Sequence, residues 1–238
     1  MNQVYELRQY TLFPGRRDEL IDLFDAEFIE TQEDVGMEVV GQFRDLDGPD
    51  RFVWVRGFAD MAARAQGLRA FYGGPVWAAY RDAANATMID SDDVLLLSPA
   101  SPASGFPAEF RETRDDPSAK GAGSGPSARP DSHGLVTATV YSLALAVTPE
   151  LLRLFEADVE PLLKDGERIA LLRTEPAPNN FPALPVREGE NVLVRFARWT
   201  DHAAAEQGRA AAAALLAEHL LAPPHELRLE PTDRSKLR

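Results

Sequence analysis

Polar and apolar residues alternate from Val4 to Leu12, the period of a half-buried strand. Pro14-Gly15 then turns the chain into a segment whose apolar positions, Leu20, Leu23, Phe24 and Phe28, recur at helical spacing. Alternation resumes over Met37–Leu46 and Arg51–Phe58, joined by DLDGPD, a hairpin turn rich in Asp, Gly and Pro. Asp60 is placed as the N-cap of a second helical region. That region is interrupted in RAFYGGPVWAAYRDAAN, where Gly73, Gly74 and Pro75 predict one helix ending at Tyr72 and another starting at Pro75. Asp93–Ser98 closes the series as a last strand.

The same order returns further on. LRQYTLFPGRRDELIDLFDAEF, from Leu7, lies over ATVYSLALAVTPELLRLFEADV, from Ala138, and matches Tyr10 to Tyr141 and Leu23-Phe24 to Leu154-Phe155. VWVRGFADMAARA, from Val53, lies over VRFARWTDHAAAE, from Val194, and matches Asp60 to Asp201, a second N-cap. Strands are placed near Val136, Arg168, Asn191 and Glu226. Between the copies, the Pro/Gly/Ser/Ala-rich stretch Pro99–Gly134 has no sustained period and is expected as a linker. The chain thus divides into a unit at 1–99, a linker at 100–133 and a second unit at 134–238.

A β-α-β-β-α-β unit forms a four-stranded antiparallel sheet with both helices on one face. The fold class expected is α+β: two ferredoxin-like βαββαβ units whose bare sheet faces cover each other as a barrel, helices outside. Strand alternation sorts residues between the two faces. Val53, Val55, Tyr5 and Leu7 form an apolar set, expected under the helices. Glu6, Arg8, Tyr10, Gln42, Arg44, Trp54, Arg56 and Phe58 form the other, expected in the lumen. The second unit offers Thr137, Thr139, Tyr141, Leu193, Arg195, Ala197 and Trp199 there. Buried guanidiniums need acidic partners, water or an anionic ligand. A one-residue slip would instead put the arginines on an ordinary solvated face.

Composition narrows the chemistry. With no cysteine, disulfides, thiolate nucleophiles and cysteine-based zinc sites are excluded. A net charge of -13 argues against nucleic acid as a partner. No apolar run is long enough for a bilayer and MNQVYELRQY is no signal peptide, so the expectation is a cytoplasmic protein without a membrane partner. His133, His202, His219 and His225 show no metal-ligand spacing, and no nucleophile elbow, P-loop or dinucleotide glycine motif occurs. No metal and no cofactor are expected. What remains is chemistry by carboxylate, tyrosine and arginine, with Glu6 either a base or the partner of Arg8 in a plain ion pair.

YELRQYTLFPGRRDEL, VGQFRDLDGPDRFVWVRGFAD, FYGGPVW and NATMIDSDDVLLL together resemble the NIPSNAP family, over Val4–Ser98. The second unit looks like a degenerate copy lacking YELR, PG and GGPVW. The resemblance implies the dimeric α+β barrel superfamily, with both units here in one chain and a further homodimer optional. That superfamily includes cofactor-free monooxygenases of polyphenols, polyketide cyclases, lactone isomerases and haem enzymes. The haem branch needs a proximal histidine that the first unit lacks.

The reading is a metal-free, cofactor-independent enzyme acting on a small aromatic or polyketide-like, anionic substrate in the lumen. Glu6, Arg8, Tyr10 and Arg56 are the catalytic candidates; Gln42, Arg44, Trp54, Phe58, Tyr72 and Arg195 are the substrate-binding ones. Trp77 is expected in the core. The same residues also suit a non-catalytic small-molecule sensor, or an oligomerising scaffold with a filled barrel.

Overall fold

The computed structural model describes residues 2–107, 135–200, 203 and 206–238. In the first unit β1 (Val4–Leu12) leads into α1 (Arg17–Leu23), which continues through a wide turn at Phe24–Phe28 into α2 (Ile29–Glu33). The hairpin β2 (Glu38–Asp45) and β3 (Arg51–Phe58) follows, then α3 (Met61–Tyr72), α4 (Pro75–Asn85) and β4 (Met88–Pro99). Asp60 caps α3 by accepting from the Ala63 N–H, and Pro75 opens α4 after the Gly-Gly break, as the sequence predicts. The second unit repeats this with β5 (Leu135–Leu143), α5 (Pro149–Leu154), β6 (Gly166–Thr174), β7 (Asn191–Trp199), α6 (Glu206–Leu215) and β8 (His225–Pro231). The N-cap expected at Asp201 lies outside the described residues, as does most of the expected linker.

The eight strands close into an antiparallel barrel in the order β1-β3-β2-β8-β5-β7-β6-β4. Each unit contributes four consecutive strands, joined at two short seams, Phe43–Asp45 against Leu229–Pro231 and Leu97–Pro99 against Leu172–Thr174. Closure removes the free sheet edges that each unit would otherwise expose.

The lumen is solid and apolar, which reverses the face assignment made from alternation. Tyr5, Leu7, Val53 and Val55 point into it and meet Val136, Ala138, Val194 and Phe196 from the second unit in one buried cluster. An eight-stranded barrel has an interior just wide enough for side chains to fill, so it has no room for a hydrated cluster of arginines. Two segments plug it further. Phe106, expected in the linker, is fully buried against Tyr5 and Phe196, with ring centroids 5.2 and 4.9 Å apart. Leu237 enters from the C-terminal tail. The linker expectation is therefore too wide at its start, since Ala100–Phe106 packs on the barrel and Ala100 N–H bonds Leu171 C=O.

The other set of residues faces outward under the helices. In the first unit Tyr10, Phe52, Trp54 and Phe58 form one cluster with Leu20, Phe24, Phe28, Leu68 and Phe71. A bulge at Val40 shifts the β2 register, so Val39 faces the helices and Val40 the lumen.

Candidate anion-binding cavity

Glu6 sits on β1 directly opposite Arg56 on β3, and Arg8 lies opposite Trp54. Cross-strand partners share a face, so these four side chains converge beneath the helices. Glu6 is fully buried and takes three guanidiniums. Arg8 Nη1 donates to Oε2 at 2.7 Å, Arg56 Nε to Oε2 at 2.8 Å, and Arg64 Nε to Oε1 at 2.7 Å. Arg64 comes from α3, at i, i+4 and i+7 with Leu68 and Phe71, on that helix's buried stripe. Burial alone would raise the Glu6 pKa, but Arg56, Arg8 and Arg64 together hold it well below the ordinary carboxylate range.

Glu6 is the single carboxylate paired with any of the three arginines among the described residues. Three positive charges against one negative leave two in excess, in a protein whose net charge is -13. Several of their other donors go to neutral oxygens. Arg8 Nε donates to Tyr10 Oη at 3.0 Å, and Arg56 Nη1 to Gln32 Oε1 at 3.2 Å and Tyr72 Oη at 3.4 Å. Arg64 Nη1 donates to Asn179 Oδ1 at 3.1 Å and Asn180 Oδ1 at 2.7 Å. Aromatic faces complete the shell, with Arg56 5.1 Å from the Trp54 ring centre and Arg8 5.5 Å from that of Tyr10.

Beside this cluster lies a small, partly open cavity of about 30 Å³. Tyr10, Gln32, Trp54 and Tyr72 supply its polar atoms, and Leu20, Phe24, Phe28, Phe71, Trp77, Ala84 and Met88 its apolar wall. Both tyrosine oxygens already accept from arginine, so each hydroxyl proton is left to donate elsewhere. Burial, opposed by Arg8, raises the Tyr10 pKa and keeps that phenol protonated near neutrality. Trp54 Nε1 is buried without a protein acceptor. The site therefore offers hydroxyl and indole donors backed by excess positive charge, the complement of a developing or resident anion.

The structure sorts the sequence candidates. Glu6, Arg8, Tyr10, Trp54, Arg56 and Tyr72 are brought together, outside the barrel rather than in its lumen. Glu6 is saturated and strongly acidic, which makes it a counter-ion and a poor base. Phe58 packs against Arg56, 5.6 Å from its ring centre. Gln42 is buried opposite Trp54 but does not line the cavity. Arg44 does not line the cavity and is paired with the exposed Asp18 at 2.9 Å. Arg195 belongs to the second unit, where Glu160 at 2.7 Å and the Gly166 carbonyl satisfy it. Trp77 lines the cavity instead of serving only the core. Sequence reasoning missed Arg64, whose place on the Leu68–Phe71 stripe was a readable signal. It also missed Gln32, one turn after Phe28, and Asn179 and Asn180, which carry no such signal. The described residues include no group of His, Cys, Asp or Glu suited to a metal, and none of their helices is long and apolar enough to cross a membrane.

The NIPSNAP family model matches residues 5–103, the unit that carries the cavity. Among solved structures, a NIPSNAP-like domain protein from Burkholderia xenovorans aligns at 25% identity over 44% of this chain and 92% of its own, with a TM-score of 0.40. Two structures align along almost the whole chain, both described as candidate monooxygenases. The one from Lactobacillus acidophilus shares 10% identity over 97% of this chain and 94% of its own, at a TM-score of 0.50. The one from Fusobacterium nucleatum shares 7% over 97% and 92%, at 0.56. These two share the fold of nearly the whole chain. No curated protein matches the chain.

Proposed function

We propose, from a chain whose first unit matches the NIPSNAP model, that this unit binds a compact aromatic or polyketide-like anion beneath its helices and promotes its conversion without metal or cofactor. The observation carrying this reading is the pair of uncompensated positive charges held against an aromatic cavity by a single buried carboxylate. Burying guanidiniums in excess of their partners is costly and uncommon without a negative ligand to receive them. Tyr10 and Tyr72 are positioned as donors to an enolate or phenolate oxygen, with Arg8 and Arg56 raising their donor strength. Such stabilisation serves isomerisation, cyclisation or oxygenation alike, and a missing oxyanion donor typically costs about 10²–10³ in rate.

A specific observation favours a second reading, a non-catalytic binder. No carboxylate or imidazole is among the residues lining the cavity, so a proton acceptor would have to come from the ligand or from solvent. The filled lumen also meets the requirement of a scaffold, and the small-molecule reading stands on the cavity outside the barrel. Incubation with a panel of enolisable aromatic and polyphenolic carboxylates, with binding followed by tryptophan fluorescence and products by mass spectrometry, separates the three. Turnover that falls in Tyr10→Phe and Tyr72→Phe supports the enzyme. Saturable binding without product supports the binder. Neither binding nor turnover refutes both.

A further inference from the structure

The site of the first unit is finished by the second. The loop between β6 and β7, residues 175–190, leaves its own unit and packs on the first one, against Arg64 and the cavity-lining Tyr72. Its Asn179 and Asn180 accept from Arg64, and Asn180 Nδ2 donates back to the Met61 carbonyl at 2.6 Å, at the start of α3. Phe181 stacks on Tyr72 with ring centroids 6.1 Å apart and planes at 28°. Leu184 and Val186 pack on the same cluster, and Arg187 N–H bonds the Val94 carbonyl at 2.9 Å.

We infer that Asn179 and Asn180 are specificity residues that keep the buried guanidinium cluster cationic, so that the second unit sets the charge selectivity of the first unit's cavity. This rests on the anion-site reading above. Several arginines elsewhere have carboxylates that they do not share with two other arginines: Arg195 has Glu160, Arg187 has Glu190 and Asp93, and Arg234 has Glu30. With 38 Asp and Glu in the sequence, acidic partners are plentiful. Arg64 has only a share of Glu6, which it divides with Arg8 and Arg56, and its Nη1 donates to two amide oxygens that cancel none of its charge. An aspartate at either position would accept from Arg64 equally well and remove half of the excess.

The test uses the full chain and two isosteric probes, benzoate and benzamide, titrated by tryptophan fluorescence. Wild type is expected to favour benzoate. Asn180→Asp is expected to weaken benzoate about tenfold while benzamide stays within about twofold, because only the charged probe feels the added carboxylate. Asn180→Ala, which loosens the loop without adding charge, is expected to move both probes alike. Asn179→Asp repeats the charge change on the neighbouring side chain and stands in if Asn180→Asp misfolds. If wild type favours benzoate and neither aspartate variant changes the ratio of the two affinities, the assignment to Asn179 and Asn180 is overturned and the anion site stands. If wild type shows no preference for benzoate, the anion site itself is overturned, and this inference with it.

Discussion

Glu6→Gln is the sharpest test of the site's electrostatics. The substitution keeps the shape of the side chain and removes the one negative charge shared by Arg8, Arg56 and Arg64. One such pair is worth about 4 kcal/mol at ~4 Å with an effective dielectric constant near 20. Three pairs multiply that figure, and the mutual repulsion of the guanidiniums and the desolvation of Glu6 return most of it. Breaking a buried pair by deleting one partner typically costs about 3–5 kcal/mol, and with three cations stranded the expectation is the top of that range. For a chain of this size it corresponds to a fall in Tm of roughly 10–20 °C.

The assay is urea unfolding followed by circular dichroism, with Glu6→Gln/Arg64→Met as the second variant. Removing a stranded cation should recover about 1–2 kcal/mol of the Glu6→Gln loss. The pH dependence has a fixed sign. A carboxyl whose folded pKa is depressed contributes stability that is complete above its unfolded pKa and fades as pH falls toward the folded one. The gap between wild type and Glu6→Gln should therefore be full at pH 7 and shrink steadily below about pH 5. A gap under about 1 kcal/mol at pH 7, or a double variant no more stable than Glu6→Gln, refutes the account of Glu6 as the counter-ion of the cluster.

Three further outcomes follow from the geometry. Tyr10→Phe removes the acceptor of Arg8 Nε and should cost about 1–2 kcal/mol in urea unfolding, while lowering any turnover by about 10²–10³ if Tyr10 donates to an oxyanion. Arg195→Met breaks a satisfied pair in the second unit and should cost about 2–4 kcal/mol; benzoate binding should be unchanged, and a loss would mean the two sites communicate. Leu237→Ala empties part of the barrel plug and should cost about 2–4 kcal/mol, and a near-neutral result would show that the tail does not seal the lumen.

Much of the architecture was legible because its causes are local. The strand period of Val4–Leu12, the Asp60 cap and the Gly73-Gly74-Pro75 break each act over a few residues, and each gave the element observed. The collinearity of the two halves gave the repeat, and two bare sheet faces gave the barrel. Alternation also sorted Glu6, Arg8, Tyr10, Trp54 and Arg56 onto one face correctly.

What alternation cannot say is which neighbour each face meets. That depends on how much space lies on either side of the sheet. Eight strands close on a lumen that apolar side chains fill, so Leu7, Val53 and Val55 turn inward. The arginines need acceptors, and those come from beyond their own strands: Gln32 and Tyr72 from the covering helices, Asn179 and Asn180 from the other unit. Asn179 is 115 residues from Arg64, and no pattern within either segment records the meeting. The sequence alone determined the elements, their repetition and the residues able to carry charge. Only closure of the barrel decided where that charge is buried, because the cost of burying it depends on partners that folding alone assembles.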